Sequence, residues 1–156
     1  MTVLKFGVLD IPYGDAKSYK EVGRKKPKHL GGSATTGDVA EILEKNYNIM
    51  EFFWILYGDK IQDALIDSME GAAESIAMGA PSTIDPYGEA ASTIESLFRD
   101  MLTQQKMDGQ PGIATQAAKD GVSHRFKNPY AKRQPRPSFI DTGLYEGSFR
   151  AWVDDE

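Results

Sequence analysis

The sequence predicts an α+β domain, with amphipathic helices over about 36–78 and 88–106 packed on a small antiparallel sheet drawn from the N-terminal and C-terminal segments, and with long basic loops between. Three observations predict it. Apolar residues recur at helical spacing through the middle of the chain, strand formers gather near both ends, and proline, glycine and basic residues interrupt the pattern in two places. The 156 residues are the usual size of one domain. Residues 1–156 therefore read as a single unit, with an N-terminal arm or loop at 15–35 and a basic loop region at 108–137. A hydrophobic content of 40% is ordinary for a folded chain and predicts a real core.

Residues 3–11 are rich in strand formers, and Leu4, Phe6 and Val8 share one face at a period of two. Pro12-Tyr13-Gly14 ends this strand. From Asp15 to Thr35 no apolar period persists, and Pro27 and Gly31-Gly32 act as breakers. A helix then starts at Thr35 or Thr36, where a hydroxyl can accept from free first-turn amides and Asp38 suits the positive end of the dipole. Val39, Ile42, Leu43, Met50, Phe53, Trp54 and Tyr57 form its apolar stripe. Gly58 is the expected bend or end, after which Ile61, Ala64, Leu65, Ala72 and Ile76 resume the phase to about Met78.

Gly79-Ala80-Pro81 stops that helix, since proline cannot donate to the ladder. A further helix follows Pro86-Tyr87-Gly88, with Ala91, Ile94, Leu97, Phe98, Met101 and Leu102 on its apolar side. Asp108 to Gly112 reads as a turn, Ala114–Ala118 as one helical turn, and Val122–Phe126 as a strand. Asn128–Pro137 is a basic connection with three prolines, which no central strand tolerates. From Ser138 the pattern predicts a short strand, a turn or helix capped by Thr142, and a closing strand.

Several chemistries are excluded on composition. The chain has no cysteine, so disulfides, thiolate metal sites and cysteine nucleophiles are ruled out. No export signal is legible at the N-terminus, and synthesis and action are expected to begin in the cytosol. The apolar run 49–57 contains Glu51 and is about half the ~20 residues that cross a bilayer, so no membrane partner is expected. His29 and His124 belong to no metal-ligand or nucleophile–base spacing and read as surface residues. Glu41/Glu44, Asp59/Asp63 and Glu70/Glu74 sit on the polar side of the helices, as a solvated face requires. Gly109–Gly112 lacks the lysine and length of a phosphate loop. No catalytic residue, cofactor or metal is expected.

Charge is partitioned along the chain. Residues 17–28 hold six bases (17, 20, 24, 25, 26, 28) against Glu21, and 119–136 hold six (119, 125, 127, 132, 133, 136) against Asp120. Residues 38–108 hold fourteen acids against four bases. An acidic helical body thus carries two basic segments. Lys20, Arg24, Lys25, Lys26 and Lys28, with Arg125, Lys127, Tyr130, Lys132, Arg133 and Arg136, are the candidate interface residues. The body and the segments suit the acidic face of an identical neighbour meeting a basic arm. The alternative is a small nucleic-acid-binding or regulatory protein that spends the same residues on phosphates. Phe52, off the main stripe, is a further candidate for a neighbouring subunit.

The segment Phe139-Ile-Asp-Thr-Gly-Leu-Tyr-Glu-Gly-Ser-Phe-Arg-Ala-Trp152, preceded by the basic, proline-containing run from Asn128, resembles a pattern in neck and tail-completion proteins of tailed bacteriophages. The matching positions are Asp141, Thr142, Gly143, Leu144, Ser148 and Phe149, in about the last quarter of the chain. The physical reading agrees: Gly143 allows a tight turn, Thr142 caps it, and Leu144 and Phe149 anchor it to the core. The resemblance implies a virion part, assembled in the host cytoplasm, that forms a ring at the junction of head and tail, a hexamer in preference to twelve subunits. Neighbouring neck, tail-tube or sheath proteins would be its partners, and DNA could pass through its channel.

Overall fold

A computed structural model describes residues 2–12, 35–79, 85–111, 113, 119–120, 137–140 and 143–155. In chain order the elements are β1 (Thr2–Val8), α1 (Thr36–Tyr47), α2 (Ile49–Ala77), α3 (Gly88–Thr103), α4 (Leu144–Ser148) and β2 (Phe149–Asp155). The expected α+β class and the two-ended sheet are both present. β1 pairs antiparallel with β2, placing Leu4 opposite Val153, Phe6 opposite Ala151 and Val8 opposite Phe149. Alternation then sends Leu4, Phe6 and Val8 to the core together with Phe149 and Ala151. Lys5, Trp152 and Asp154 are left on the outer face, where Lys5 Nζ lies 3.0 Å from Asp154 Oδ2 and Trp152 Nε1 donates to the same oxygen at 3.2 Å. Those two bonds, Lys5 first, hold the Asp154 carboxyl below its ordinary range. The pair is solvated and contributes little to stability.

Two strands alone are marginal in water. The helices therefore have to cover the inner face, and their caps and clips set how they do so. Thr35 Oγ1 accepts from the Asp38 N–H, and the Asp38 carboxylate accepts from the Thr35 N–H, the reciprocal capping box that starts α1. The fully buried Thr36 hydroxyl donates to the Leu9 carbonyl and accepts from the Ile11 N–H at 2.8 Å. Those bonds tie the segment leaving β1 to the first turn of α1.

The helical break falls at Asn48, not at Gly58. Asn48 adopts a left-handed conformation with φ 48° and ψ 50°, which asparagine tolerates better than most residues. Its N–H donates to the Glu44 carbonyl, and the Glu44 carboxylate accepts from the Met50 N–H at 2.9 Å, satisfying a free amide of α2. Gly58 lies inside α2, alongside the Trp54 indole. The buried stripe of α2 runs through Ile49, Phe53, Tyr57, Ile61, Ser68 and Ala72. Ile42, Trp54 and Ile76, expected on the buried stripe, are instead 58%, 44% and 46% exposed.

The buried Ser68 hydroxyl clips α2 to the start of α3, donating to the Pro86 carbonyl at 2.9 Å and lying 3.4 Å from the Ala90 N–H. Ile94, Phe98, Met101 and Leu102 face the core from α3 as expected. This helix ends at Thr103, short of residue 106, where Gln105 turns into a left-handed conformation at φ 56°. Ser138 and Phe139 form a turn rather than the expected short strand. Phe139 has φ 68°, and its ring sits 5.1 Å from that of Tyr47.

The core is a cluster of aromatic rings. Phe98 of α3 stacks on Phe149 of β2 with centroids 3.9 Å apart and planes 8° from parallel. Phe53 of α2 meets both rings edge-on at 5.4 and 5.8 Å, and Phe6 of β1 meets Phe53 edge-on at 5.9 Å. Tyr145 of α4 closes on Phe98 at 6.1 Å. Beside the stack, Glu95 of α3 accepts from the Ala151 N–H of β2 at 3.4 Å and pairs with Arg99 at 3.0 Å.

Phe149→Ala should cost about 3–5 kcal/mol of unfolding free energy, the usual result of emptying a buried aromatic site, read by urea denaturation. Gly143, at φ 75° with open space where a methyl would project, and Gly71, inside a helix with equally open space, make a matched pair. Gly143→Ala should cost about 1–2 kcal/mol from left-handed strain alone, and Gly71→Ala should gain ~0.5–1 kcal/mol.

Candidate interaction surface

The candidate interface bases Lys20, Arg24, Lys25, Lys26 and Lys28, and Arg125, Lys127, Tyr130, Lys132, Arg133 and Arg136, lie outside the described residues, as do Asp141, Thr142, His29 and His124. Phe52 is half-buried on α2 and packs against the core cluster. The other motif positions are brought together. Gly143 precedes α4 in a left-handed conformation, Leu144 begins α4, and the buried Ser148 hydroxyl donates to the Tyr145 carbonyl at 2.8 Å, closing the helix. Phe149 follows directly into the centre of the ring cluster.

A surface that the apolar stripe did not predict lies on the far side of α2. At about 100° per residue, Ile55, Gln62, Ile66, Met69, Ala73 and Ile76 share a sector of roughly 80° that points away from the buried stripe. All six are exposed: Ile55 by 74%, Ile66 by 53% and Met69 by 48%. Their spacing alternates fours and threes from Gln62 onward, the seam that a helix presents to a second packing partner. Trp54 flanks the row. From Ile55 to Ile76 the row extends about 32 Å, and its exposed apolar area is on the order of 500 Å², the upper end for a soluble monomer. The signal was in the sequence: two interleaved apolar sets occupy one helix, and assigning a single stripe leaves Ile55, Ile66 and Met69 over.

Along one side of this row, in the next sector of the helix, run Asp59, Asp63, Asp67, Glu70 and Glu74, all exposed. With Glu51, α2 carries six acids against Lys60 alone. A shallow, open groove of about 380 Å³ between α2 and α3 is lined by Lys60, Asp63, Asp67, Ser68, Glu89 and Thr93. Among the described residues there is no cluster of three or more His, Asp or Glu that could hold a metal, and no helix is long and apolar enough to cross a membrane. The outer side of α2 thus combines an exposed apolar row with an edge of carboxylates.

Comparison with family models, with curated proteins and with solved structures returns no match for this chain.

Replacing Ile66 and Met69 together by serine should leave the unfolding free energy of the monomeric fold, read by urea denaturation, within about 0.5 kcal/mol of the parent, because neither side chain fills the core. The same double variant should elute earlier from a hydrophobic-interaction column.

Proposed function

We propose that the chain is a structural subunit of a tailed-bacteriophage virion, forming a ring at the head–tail junction as a neck, tail-completion or tail-terminator protein. Its partners are copies of itself and the adjoining neck, tail-tube or sheath proteins. The observation that carries the reading is the exposed apolar row Ile55, Ile66, Met69 and Ile76, edged by carboxylates, on a 29-residue helix whose opposite side is committed to the core. A side-chain row of that length has no role within the described fold, and burial against a neighbour is what removes it from water.

Two further features support it. The residues that carry the resemblance, Gly143, Leu144, Ser148 and Phe149, build a turn, a short helix and a strand start that join the C-terminal strand to the core. The basic segments 17–28 and 119–136 give the same chain a positive counterpart to its negative helices. A ring needs such a head-to-tail pairing of unlike surfaces, since a self-matching patch closes at a dimer.

Size-exclusion chromatography with light scattering, followed by negative-stain microscopy of the purified chain, tests the reading. Rings of six or twelve copies, or discrete oligomers that bind tail-tube or connector proteins, are expected. A monomer at every concentration that binds none of those proteins, but shifts a DNA duplex with steep salt dependence, would replace it with the nucleic-acid-binding alternative.

A further inference from the structure

We infer that the outer face of α2 is the receiving surface for the basic segment 119–136 of a second copy of this chain, in a head-to-tail contact. The inference rests on the reading that the chain assembles with itself, and it specifies which surface meets which segment.

Charge disfavours an antiparallel pairing of two α2 helices. The row Ile55, Gln62, Ile66, Met69, Ala73 and Ile76 has the spacing of a coiled-coil seam, so two copies of α2 could pair along it. In an antiparallel pair, however, like flanks face each other, and the flank of this seam carries Asp63 and Glu70, with Asp59 and Glu74 on the same side. Carboxylates would oppose carboxylates along the contact, and Lys60 is the single base on the helix to offset them. The opposite flank holds the half-buried Leu65 and the buried Ala72 and offers no charge. A partner that presents positive charge beside apolar groups matches both features of this surface.

Segment 119–136 supplies such a partner. Helix α2 bears six acids and one lysine, and segment 119–136 bears six bases and Asp120, so the two are equal and opposite in net charge. This segment also interleaves Val122, Phe126 and Tyr130 with its bases, supplying apolar groups for the row between Ile55 and Ile76 as well as charge for its edge. Segment 17–28 matches in charge but offers only Tyr19 and Val22. Burying the row against an aromatic, cationic strip satisfies both halves of the surface at once, with aromatic rings and arginines as the anchors expected of an interface centre.

The test uses the full-length chain in two complementary forms. One carries Ile66→Glu and Met69→Glu, which leave its basic segment intact. The other carries Arg125→Glu, Lys127→Glu and Arg133→Glu, which leave α2 intact, and has a photo-crosslinking benzoylphenylalanine at position 73. Circular dichroism and thermal melts confirm that each is folded. Each form alone should self-associate ~30-fold or more weakly than the parent, as loss of central anchors does. Mixed, they should form a one-to-one pair, and illumination should join position 73 of one form to residues 119–136 of the other.

If only the α2 form loses association, and the crosslink runs from α2 to α2, the contact is two-fold and the proposal fails. A crosslink to 17–28, or one confined within a single chain, also overturns it. If both forms assemble as the parent does, this contact is wrong while the ring reading stands. A parent that is monomeric throughout sinks both.

Discussion

The stack of Phe98 on Phe149 is the contact on which the fold depends. Those two rings, 3.9 Å apart, come from the third helix and from the last strand, separated by some fifty residues of chain. Each is also touched by Phe53 of the long helix, and Phe6 reaches the same cluster from the first strand. Four elements that share little local sequence are thus held by rings meeting face to face and edge to face, geometries that add to simple burial. Among the described residues the sheet has two strands, whose ladder alone cannot organise the helices, so the ring cluster is what joins strands and helices into one core. Smaller clips refine the arrangement. Thr36 fastens the exit of β1 to α1, Ser68 fastens α2 to α3, and Glu95 occupies the outward amide of Ala151 on the sheet edge. Each satisfies a buried or edge polar group that would otherwise destabilise the packing.

Much of this fold is legible in the sequence, and the departures have physical causes. The α+β class, the pairing of the two chain ends and the inward face Leu4, Phe6 and Val8 follow from alternation, because a two-residue period has one register that buries every apolar side chain. The capped start at Thr35 and Asp38 is legible because both halves of the capping box are local. Ile94, Phe98, Met101 and Leu102 lie where their spacing puts them, since α3 has one apolar side. The break departs from expectation because glycine is the stronger general breaker, whereas here Asn48 takes the left-handed conformation and Glu44 compensates the exposed amide. Trp54 and Ile76 lie at the edge of the α2 stripe and stay exposed, as does Ile42 on α1, while Ile49 begins the buried side of α2. Phe139, expected in a strand, sits at a positive φ and is held by its contact with Tyr47, a long-range effect with no sequence signature.

The candidate surface is legible only in part. Charge partition is a property of composition, and by itself it points to association between unlike parts of the chain. The apolar row has a sequence signal, two interleaved apolar sets on one helix, but counted along one phase they read as a single broad stripe. Only burial separates the side spent on Phe53, Ile61 and Ala72 from the side left with Ile55, Ile66 and Met69. The candidate basic residues fall outside the described residues, so their contribution to the surface is carried by sequence alone.

The two components of that surface act over different distances. In the proposed contact, carboxylates on α2 and bases on another copy would attract one another across roughly 8–10 Å of saline before touching, and that attraction would fade with added salt. It raises the encounter rate and rejects like-charged arrangements, yet contributes modestly to final affinity when the charges stay solvated at the rim. The apolar row has the opposite character: it has no reach, but once covered it is dry, and its stabilisation survives salt that screens the carboxylates. An assembly built on both would form fastest in dilute buffer and, once formed, persist at ionic strengths that slow its formation. This division of labour also accounts for the composition of α2. A helix acidic all round would remain soluble and unpartnered, and one apolar on both sides without its carboxylates would join any exposed apolar surface. With the two rows side by side, α2 would, in the proposed assembly, restrict its partners to those that present positive charge beside apolar groups, and its own chain encodes such a segment.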